Sequence, residues 1–234
     1  MNLYYQPDFS EQNPVLSGTE AHHVLSVMRH QAGDQLQITN GSGLIFNCAL
    51  SNKSSSACTL NIHEIRRIPA PTYQIHIALG ILKASDRMEW FVEKATEIGV
   101  QKITFFTSGN CERKVINLDR LHRVAISALK QSGQSWLPII AGPERFESVI
   151  ANPNSQLFIG YIPDHIHVNN LLNEAIAGNS YLVLIGPEGD FTPAEFKLAV
   201  SKGFRPISLG NNVMRSETAA LSAVQILNLL QVKS

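Results

Sequence analysis

Two short stretches near the C-terminus carry the residue types best suited to chemistry. Leu182–Phe191 reads LVLIGPEGDF and Leu209–Ala220 reads LGNNVMRSETAA. Each starts as an apolar, strand-like run and then breaks into small and polar residues. In the first break, Gly186-Pro187-Glu188-Gly189, glycine lets a ligand approach bare backbone while proline stiffens the loop. The second, Gly210-Asn211-Asn212, leads to Arg215 and Glu217. In parallel α/β sheets, ligands bind beyond the carboxyl ends of strands. The paired loops therefore predict a small-molecule pocket built from backbone amides and carbonyls. Neither loop has G-x-G-x-x-G or G-x-x-x-x-G-K-[ST] spacing, which argues against a pyrophosphate cradle. Arg215 stays protonated, so it suits charge stabilisation or a bracing salt bridge rather than proton abstraction. Glu217 can accept a proton directly or through water, or simply occupy a first helical turn, where the dipole favours an acid. Glu188 reads as a loop brace or a polar contact.

The elements that must position these residues follow from periodicity. YLVLIG and FRPISLG are strands that lead into the two loops. TPAEFKLAVSKG is a helix with Thr192 as its cap, Asp190 being the other candidate, and Pro193 in its first position. A helix from about 217 to 232 closes the chain. Upstream, YQIHIALGI alternates with Tyr73, Ile75, Ile77, Leu79 and Ile81 on one face. SDRMEWFVEKATEIGV reads as a helix capped by Ser85 and ended by Gly99. KITFF is a strand, LDRLHRVAISALKQS a basic amphipathic helix, SQLFIGYI a strand, and a short helix falls near 169–177. Alternating strands and helices predict an α/β domain, residues 71–234, with a mostly parallel sheet.

Before the proline pair of RRIPAPTY the pattern is different. DQLQITN and LIFNCALS flank NGSG, a strong hairpin signal, and ACTLNIHEI alternates again. One short helix, about Thr19 to Arg29 with Thr19 as cap, interrupts these strands. Residues 1–70 thus predict a small β-barrel.

Composition excludes several classes. The chain has 234 residues, 44% apolar and 16% charged, an ordinary globular balance. No apolar run approaches the roughly 18 residues that span a bilayer, and MNLYYQPDF lacks the basic start and apolar core of a signal peptide; a cytoplasmic protein is expected. Cys48, Cys58 and Cys111 are widely spaced, which predicts buried thiols rather than disulfides or zinc. His22-His23 and the His165/His167 pair complete no coordination sphere, so no metal is expected. Formal charge is zero, but residues 83–130 hold nine Lys/Arg against six Asp/Glu. That excess suits a phosphate-facing surface or an ordinary solvated helical face.

Taken together, LVLIGPEGDF and LGNNVMRSETAA resemble the signature of the SPOUT (α/β-knot) RNA methyltransferases, and more closely the bacterial 16S ribosomal RNA uridine N3-methyltransferases. HHVLSVMRHQAGDQL is similar to their N-terminal PUA-like barrel, KASDRMEWFVEKATEIGV to their first α/β unit, and ALKQSGQSWLP to the segment leading into the knot. The resemblance implies a deep trefoil knot that binds S-adenosyl-L-methionine in a bent pose without metal. Leu184, Ile185, Gly186, Glu188 and Gly189 would contact it from the first loop. Leu209, Gly210, Val213, Met214 and Arg215 would close over it from the second. Arg215 and Glu217 are the implied catalytic pair. For RNA, the candidates are Arg29, Lys83, Arg87, Arg113 and Lys114. The implied substrate is 16S ribosomal RNA of the small ribosomal subunit, with a homodimer as the working form and no DNA or membrane partner. A sibling enzyme acting on ribose 2′-oxygen and a non-catalytic RNA-binding knot protein are the alternatives. Three positions depart from the family pattern: Gln134 where arginine is frequent, Asp190 where glycine is commoner, and Ser216 where threonine is.

Overall fold

The computed structural model describes residues 2–54, 56–151, 156–161 and 168–232. His165 and His167 lie outside the described residues. The chain divides into two compact units: Met1–Ala70 with Ile126–Leu137, and Pro71–Ala125 with Pro138–Ser234.

The first unit is a curled five-stranded sheet. Its strands are β1 (Leu3–Tyr5), β2 (Val15–Ser17), β3 (Gln35–Thr39), β4 (Leu44–Lys53) and β5 (Ala57–Arg67), in the order β1-β3-β4-β5-β2. The NGSG stretch turns β3 into antiparallel β4, and Gly41 and Gly43 take φ of 74° and 85° there. Register shifts at Asn47/Cys48 and Leu50/Asn52 bulge the β4–β5 ladder. Bulges bend and twist a strand pair, so the long hairpin curls round Tyr4, Phe9, Leu16, Leu36, Ile38 and Phe46. The result is a half-barrel whose outer strands are β1 and β2.

The short helix differs from expectation. It starts at Gly18 (α1, Gly18–His22), Ser17 stands at its N-cap without a side-chain bond, and Thr19 is inside it. From His23 to Val27 the coil widens, with Met28 N–H donating to His23 O at 2.9 Å. Arg29 lies beyond its end, at φ 57°. Residues 126–137, expected with the α/β domain, join this unit because their turn completes the sheet's rim. Gly43 N–H donates to Ser135 O, Leu137 N–H to Gly41 O, and Trp136 Nε1 to Ile68 O.

The second unit is a six-stranded, wholly parallel sheet ordered β11-β9-β10-β6-β7-β8. The strands are β6 (Gln74–Gly80), β7 (Lys102–Thr107), β8 (Ile139–Arg145), β9 (Gln156–Gly160), β10 (Ser180–Ile185) and β11 (Arg205–Pro206). Central β6 and β10 are buried on both faces, as expected of a sheet covered on both sides. Helices α2 (Ser85–Ile98) and α7 (Ser216–Val232) pack together over β6 and β10. Helix α6 (Pro193–Ser201) adds Phe196 and Ala199 to the cluster of Phe106, Phe146, Leu184, Phe191 and Phe204. Helix α3 (Leu118–Ser132) and the short α4 (Phe146–Val149) and α5 (Leu171–Glu174) complete the helices.

Several expectations need correction. Ser85 is the first helical residue of α2, and the cap position falls on Ala84, which offers no side-chain bond. The FRPISLG strand shrinks to two residues because Pro206 cannot donate to a ladder. Strand β8 has no alternating signature, since Gly142-Pro143 interrupts it; a proline is tolerated there because β8 is an edge. By contrast, Thr192 caps α6 through a complete capping box with Glu195, and Gly99 ends α2 at φ 104°.

All three cysteines are free and buried, and burial pushes the Cys48 thiol up to about 12. Among the described residues, no helix is long and apolar enough to cross a membrane, and no group of three or more His, Cys, Asp or Glu is placed to hold a metal.

His76 on β6 lies 2.8 Å by Nε2 from Thr104 Oγ1. Burial, with a smaller contribution from Lys102, pushes its pKa down from 6.5 to about 3. The fold therefore holds His76 neutral, and its contribution to stability is complete above pH 6.5 and is lost as pH falls toward 3. Replacing His76 with Gln is expected to flatten the loss of urea midpoint between pH 6.5 and pH 4, which equilibrium unfolding across that range measures.

Candidate active site

All strands of the parallel sheet end on the same edge, and glycines sit at three neighbouring strand ends. Ile185 pairs with Gly160 on β9 and with Leu79 on β6, so Gly160, Gly186 and Gly80 lie along one rim. Gly80 and Gly186, with Gly189 in the loop itself, are needed for close approach. A Cβ on Gly80 would sit 2.5 Å from both Pro187 Cδ and Pro187 N. One on Gly186 would sit 2.9 Å from Asp190 Oδ1, and one on Gly189 3.0 Å from Asn110 Cβ. The left-handed backbone of this loop falls instead at Asp190, with φ 59°. Glycine adopts that conformation without steric cost, whereas other residues do so rarely. Asp190 tolerates it with help from its own Oδ1, which accepts from Phe191 N–H at 2.8 Å.

Cross-links from other elements hold the first loop. Lys83 N–H donates to both carboxylate oxygens of Glu188, at 3.1 and 3.2 Å. Asn110 Nδ2 donates to Gly189 O at 2.9 Å and to Asp190 O at 3.2 Å. Glu188 therefore braces the loop against the end of β6.

Two cavities flank the second loop. The smaller, about 270 Å³, is lined by Gly160, Tyr161, Asp190, Ile207 and Ser208, by Leu209, Gly210, Asn212, Val213 and Met214 of the loop, and by Ala219 of α7. The larger, about 920 Å³, is lined by Asp86, Arg87 and Trp90 of α2 and by Val213, Met214, Arg215, Glu217 and Thr218. Val213 and Met214 form the wall common to both. Gly210 takes φ 151°, and Ser222 Oγ donates to Met214 Sδ at 3.4 Å.

The larger cleft contains one unusual group. Glu217 is 6% exposed, and its Oε2 is buried without a hydrogen-bond partner. Its Oε1 lies 3.7 Å from Arg87 Nε, and Arg87 Nη1 lies 3.7 Å from Glu188 Oε1. Arg87 thus spans two carboxylates, one from each loop region, at distances longer than a hydrogen bond. Arg215 is exposed beside them and makes no ion pair among the described residues.

The sequence-derived candidates fall into distinct places. Leu209, Gly210, Val213 and Met214 line the smaller cavity; Arg87, Arg215 and Glu217 line the larger with Val213 and Met214. Leu184 and Ile185 are the last residues of β10 with buried side chains, so only their backbone is available to a ligand. Gly186 and Gly189 shape the loop, and Glu188 anchors it. Lys83 Nζ is paired with Glu112 Oε2 at 2.8 Å, which raises its pKa. Arg113 donates from Nε to Val115 O, and Lys114 is exposed. Arg29 belongs to the first unit. Sequence reasoning missed Gly80, Gly160, Trp90 and Tyr161. Gly80 and Gly160 carried a readable signal, each being a glycine at the end of an apolar strand.

A parallel sheet whose strand-end loops and closing helix wall cavities defines a ligand-binding α/β protein. A family model described as RNA methyltransferase domain matches residues 69–228, and one described as RNA methyltransferase PUA domain matches residues 16–62. The chain therefore belongs to the SPOUT RNA methyltransferases, in the family of ribosomal RNA small subunit methyltransferase E. It is 30% identical to the protein of that name from Buchnera aphidicola subsp. Acyrthosiphon pisum, over 96% of this chain and 91% of the relative. Among solved structures it is similar to a probable rRNA-methyltransferase from Porphyromonas gingivalis, with 38% identity and a TM-score of 0.92 over 100% of this chain and 99% of that one. It is also similar to a Legionella pneumophila protein described as a candidate methyltransferase and solved with bound cofactor SAM, with 26% identity and a TM-score of 0.85 over 98% and 97%.

The rim glycines make a graded prediction. At Gly80 an added methyl meets backbone and a proline ring; at Gly160 it meets the flexible Ile185 Cδ1 at 2.7 Å. Gly80→Ala is expected to cost about 1–3 kcal/mol, as overpacking does, and Gly160→Ala clearly less. Chemical denaturation of both variants checks the order.

Proposed function

We propose that this protein uses S-adenosyl-L-methionine to methylate N3 of a uridine in 16S ribosomal RNA of the small ribosomal subunit. The buried Glu217 carboxylate, with one oxygen unpartnered beside Arg87 and Arg215 in the larger cleft, carries the reading. The relative in Buchnera is a small-subunit ribosomal RNA methyltransferase by name, and the Legionella structure holds SAM.

The smaller cavity suits a nucleoside sulfonium. Tyr161, Ile207, Leu209, Val213, Met214 and Ala219 supply apolar walls, and the loop backbone supplies donors and acceptors for an adenine edge. When bound, the cofactor supplies an electrophilic sulfonium methyl. Leu209 and Gly210, with the backbone of Leu184, Ile185, Gly186 and Gly189, would hold it, and Val213 and Met214 would set the boundary across which transfer occurs.

The target uridine would enter the larger cleft. Its N3 is a poor nucleophile until it loses a proton. Glu217 Oε2 accepts that proton directly or through water. The N3 lone pair forms the new C–N bond as the methyl–sulfur bond breaks, leaving the neutral thioether. Negative charge accumulates on uridine O2 and O4, and Arg215 stabilises it. Arg87 Nε, 3.7 Å from Glu217 Oε1, holds that carboxyl at the wall of the cleft. Arg29, Lys83, Arg113 and Lys114 contact RNA phosphates. A homodimer is the working form; the exposed Trp90 and Val213 at the rim of the larger cleft supply apolar surface for it. The buried free thiols suit the reducing cytoplasm.

Incubating the protein with labelled cofactor and small subunits from cells lacking the modification should place one methyl on uridine N3. Label on a ribose oxygen, or none, would overturn the reading. Glu217→Gln is expected to lower turnover at least about 10²-fold with cofactor affinity retained, the usual scale for a general base. Arg215→Ala should cost about 10²–10³-fold in kcat, as removal of a charge-stabilising donor does. Single-turnover kinetics with calorimetric titration of the cofactor separates the two effects.

A further inference from the structure

We infer that a third cavity, at the N-terminal ends of α2 and α3, is a binding pocket for a phosphodiester of the RNA substrate. It encloses about 220 Å³ and is lined by Ser85, Met88 and Glu89 of α2, by Arg113 and Asn117 of the β7–α3 connection, and by Arg120 and Leu121 of α3. None of these residues lines either of the two cavities described above. The inference rests on the reading of the protein as an RNA-modifying enzyme and adds a defined anchoring point to it.

The chemistry of the lining identifies the ligand. Two arginines line one small cavity, one held by a hydrogen bond from its Nε and the other by an ion pair. Arg113 Nε donates to Val115 O at 2.8 Å, and Arg120 Nε lies 2.7 Å from Glu89 Oε1. Arginine carries five N–H donors in a planar fork, a shape that grips two oxygens of a phosphate.

Among the lining residues Glu89 is the one acid; Asp86 and Asp119, in the first turns of α2 and α3, are not part of the lining. Glu89 neutralises one of the two charges, and Glu112 is engaged by Lys83 at 2.8 Å. The lining residues therefore keep one net positive charge, which suits the single negative charge of a phosphodiester. Ser85 adds a hydroxyl on the same wall. Helix α2 opens there with Ala84 at its cap position and no side-chain acceptor for its first amides, and such amides favour an anion. Helix α3 is already satisfied, since Asn117 Oδ1 accepts from Arg120 N–H at 3.0 Å. Met88 and Leu121, both buried, form the apolar floor of the cavity.

The test compares the full-length protein with Arg113→Gln/Arg120→Gln and Arg113→Lys/Arg120→Lys double variants. Binding to small-subunit ribosomal RNA is measured by fluorescence anisotropy across a salt series. Thermal melting and S-adenosyl-L-methionine titration serve as controls for folding. The glutamine variant should bind RNA about tenfold more weakly at low salt. Its slope of log K against log salt should shrink by about 0.7–0.9, the range for one lost phosphate contact on single strands to duplex. The lysine variant should recover the slope but only part of the affinity, because lysine keeps the charge and loses the fork. A glutamine variant that melts like the wild type and keeps its affinity and slope would overturn the pocket while leaving the RNA reading intact. A wild-type protein that takes up cofactor but binds no RNA would overturn both. If the glutamine variant alone is misfolded, the lysine variant decides: unchanged affinity against wild type argues against the fork and overturns the pocket, and partial loss with unchanged slope supports it.

Discussion

The site depends on one steric constraint: the chain leaving β10 must cross the end of β6 at a distance that admits no side chain. Gly80 and Pro187 meet there, and a methyl group on Gly80 would lie 2.5 Å from the proline ring and its nitrogen. Because Pro187 has a fixed φ and Glu188 takes up the amide of Lys83, the loop has little freedom once that crossing is made. Asn110 then holds its far side through two carbonyls. The rim of the sheet, rather than any single polar residue, sets the position of everything beyond it.

From that rim the chemistry divides in two. The second loop lies between a smaller, mostly apolar cavity and a larger cleft in which Arg87, Arg215 and Glu217 gather. A methyl transfer needs its two reactants aligned and otherwise kept apart, and a shared wall of Val213 and Met214 suits that requirement. A carboxylate buried with an unpartnered oxygen is costly in a folded protein. Packing alone gives no reason to retain Glu217 there, and the proton-accepting role proposed for it would supply one. The phosphate pocket proposed at the start of α2 lies beside the same helix, so Arg87 of α2 would stand at the reacting base, and Arg113 of the β7–α3 connection with Arg120 of α3 at the backbone.

Much of this was readable from residue order. The strand–helix alternation after Pro71, the NGSG hairpin, the Gly99 stop and the Thr192 capping box are all local events, governed by periodicity and backbone preference over a few residues. The loops themselves, and Arg215 and Glu217 within them, were visible as polar interruptions of apolar runs. Errors arose where a neighbour in space overruled a local preference. Strand β8 forms despite Gly142-Pro143 because an edge strand has one side without a ladder. The segment Ile126–Leu137 joins the half-barrel because Gly41, Gly43 and Ile68 meet its backbone and its indole. Thr19 and Ser85 look like caps in sequence, yet each helix begins before its hydroxyl could serve as one.

The sequence by itself determined the alternation of strands and helices after Pro71, the Thr192 start of α6 and the Gly99 stop of α2, and that two glycine-bearing loops would stand next to ionisable side chains. Those features depend on neighbours within one turn or one hairpin. Only the tertiary structure decided that Glu188 braces Lys83 across 105 residues, that Arg87 links Glu188 with Glu217, and that Asp190 rather than a glycine takes the left-handed turn. Such pairings are set by strand order and helix packing, and no local rule encodes which distant amide or carboxylate will be brought within reach.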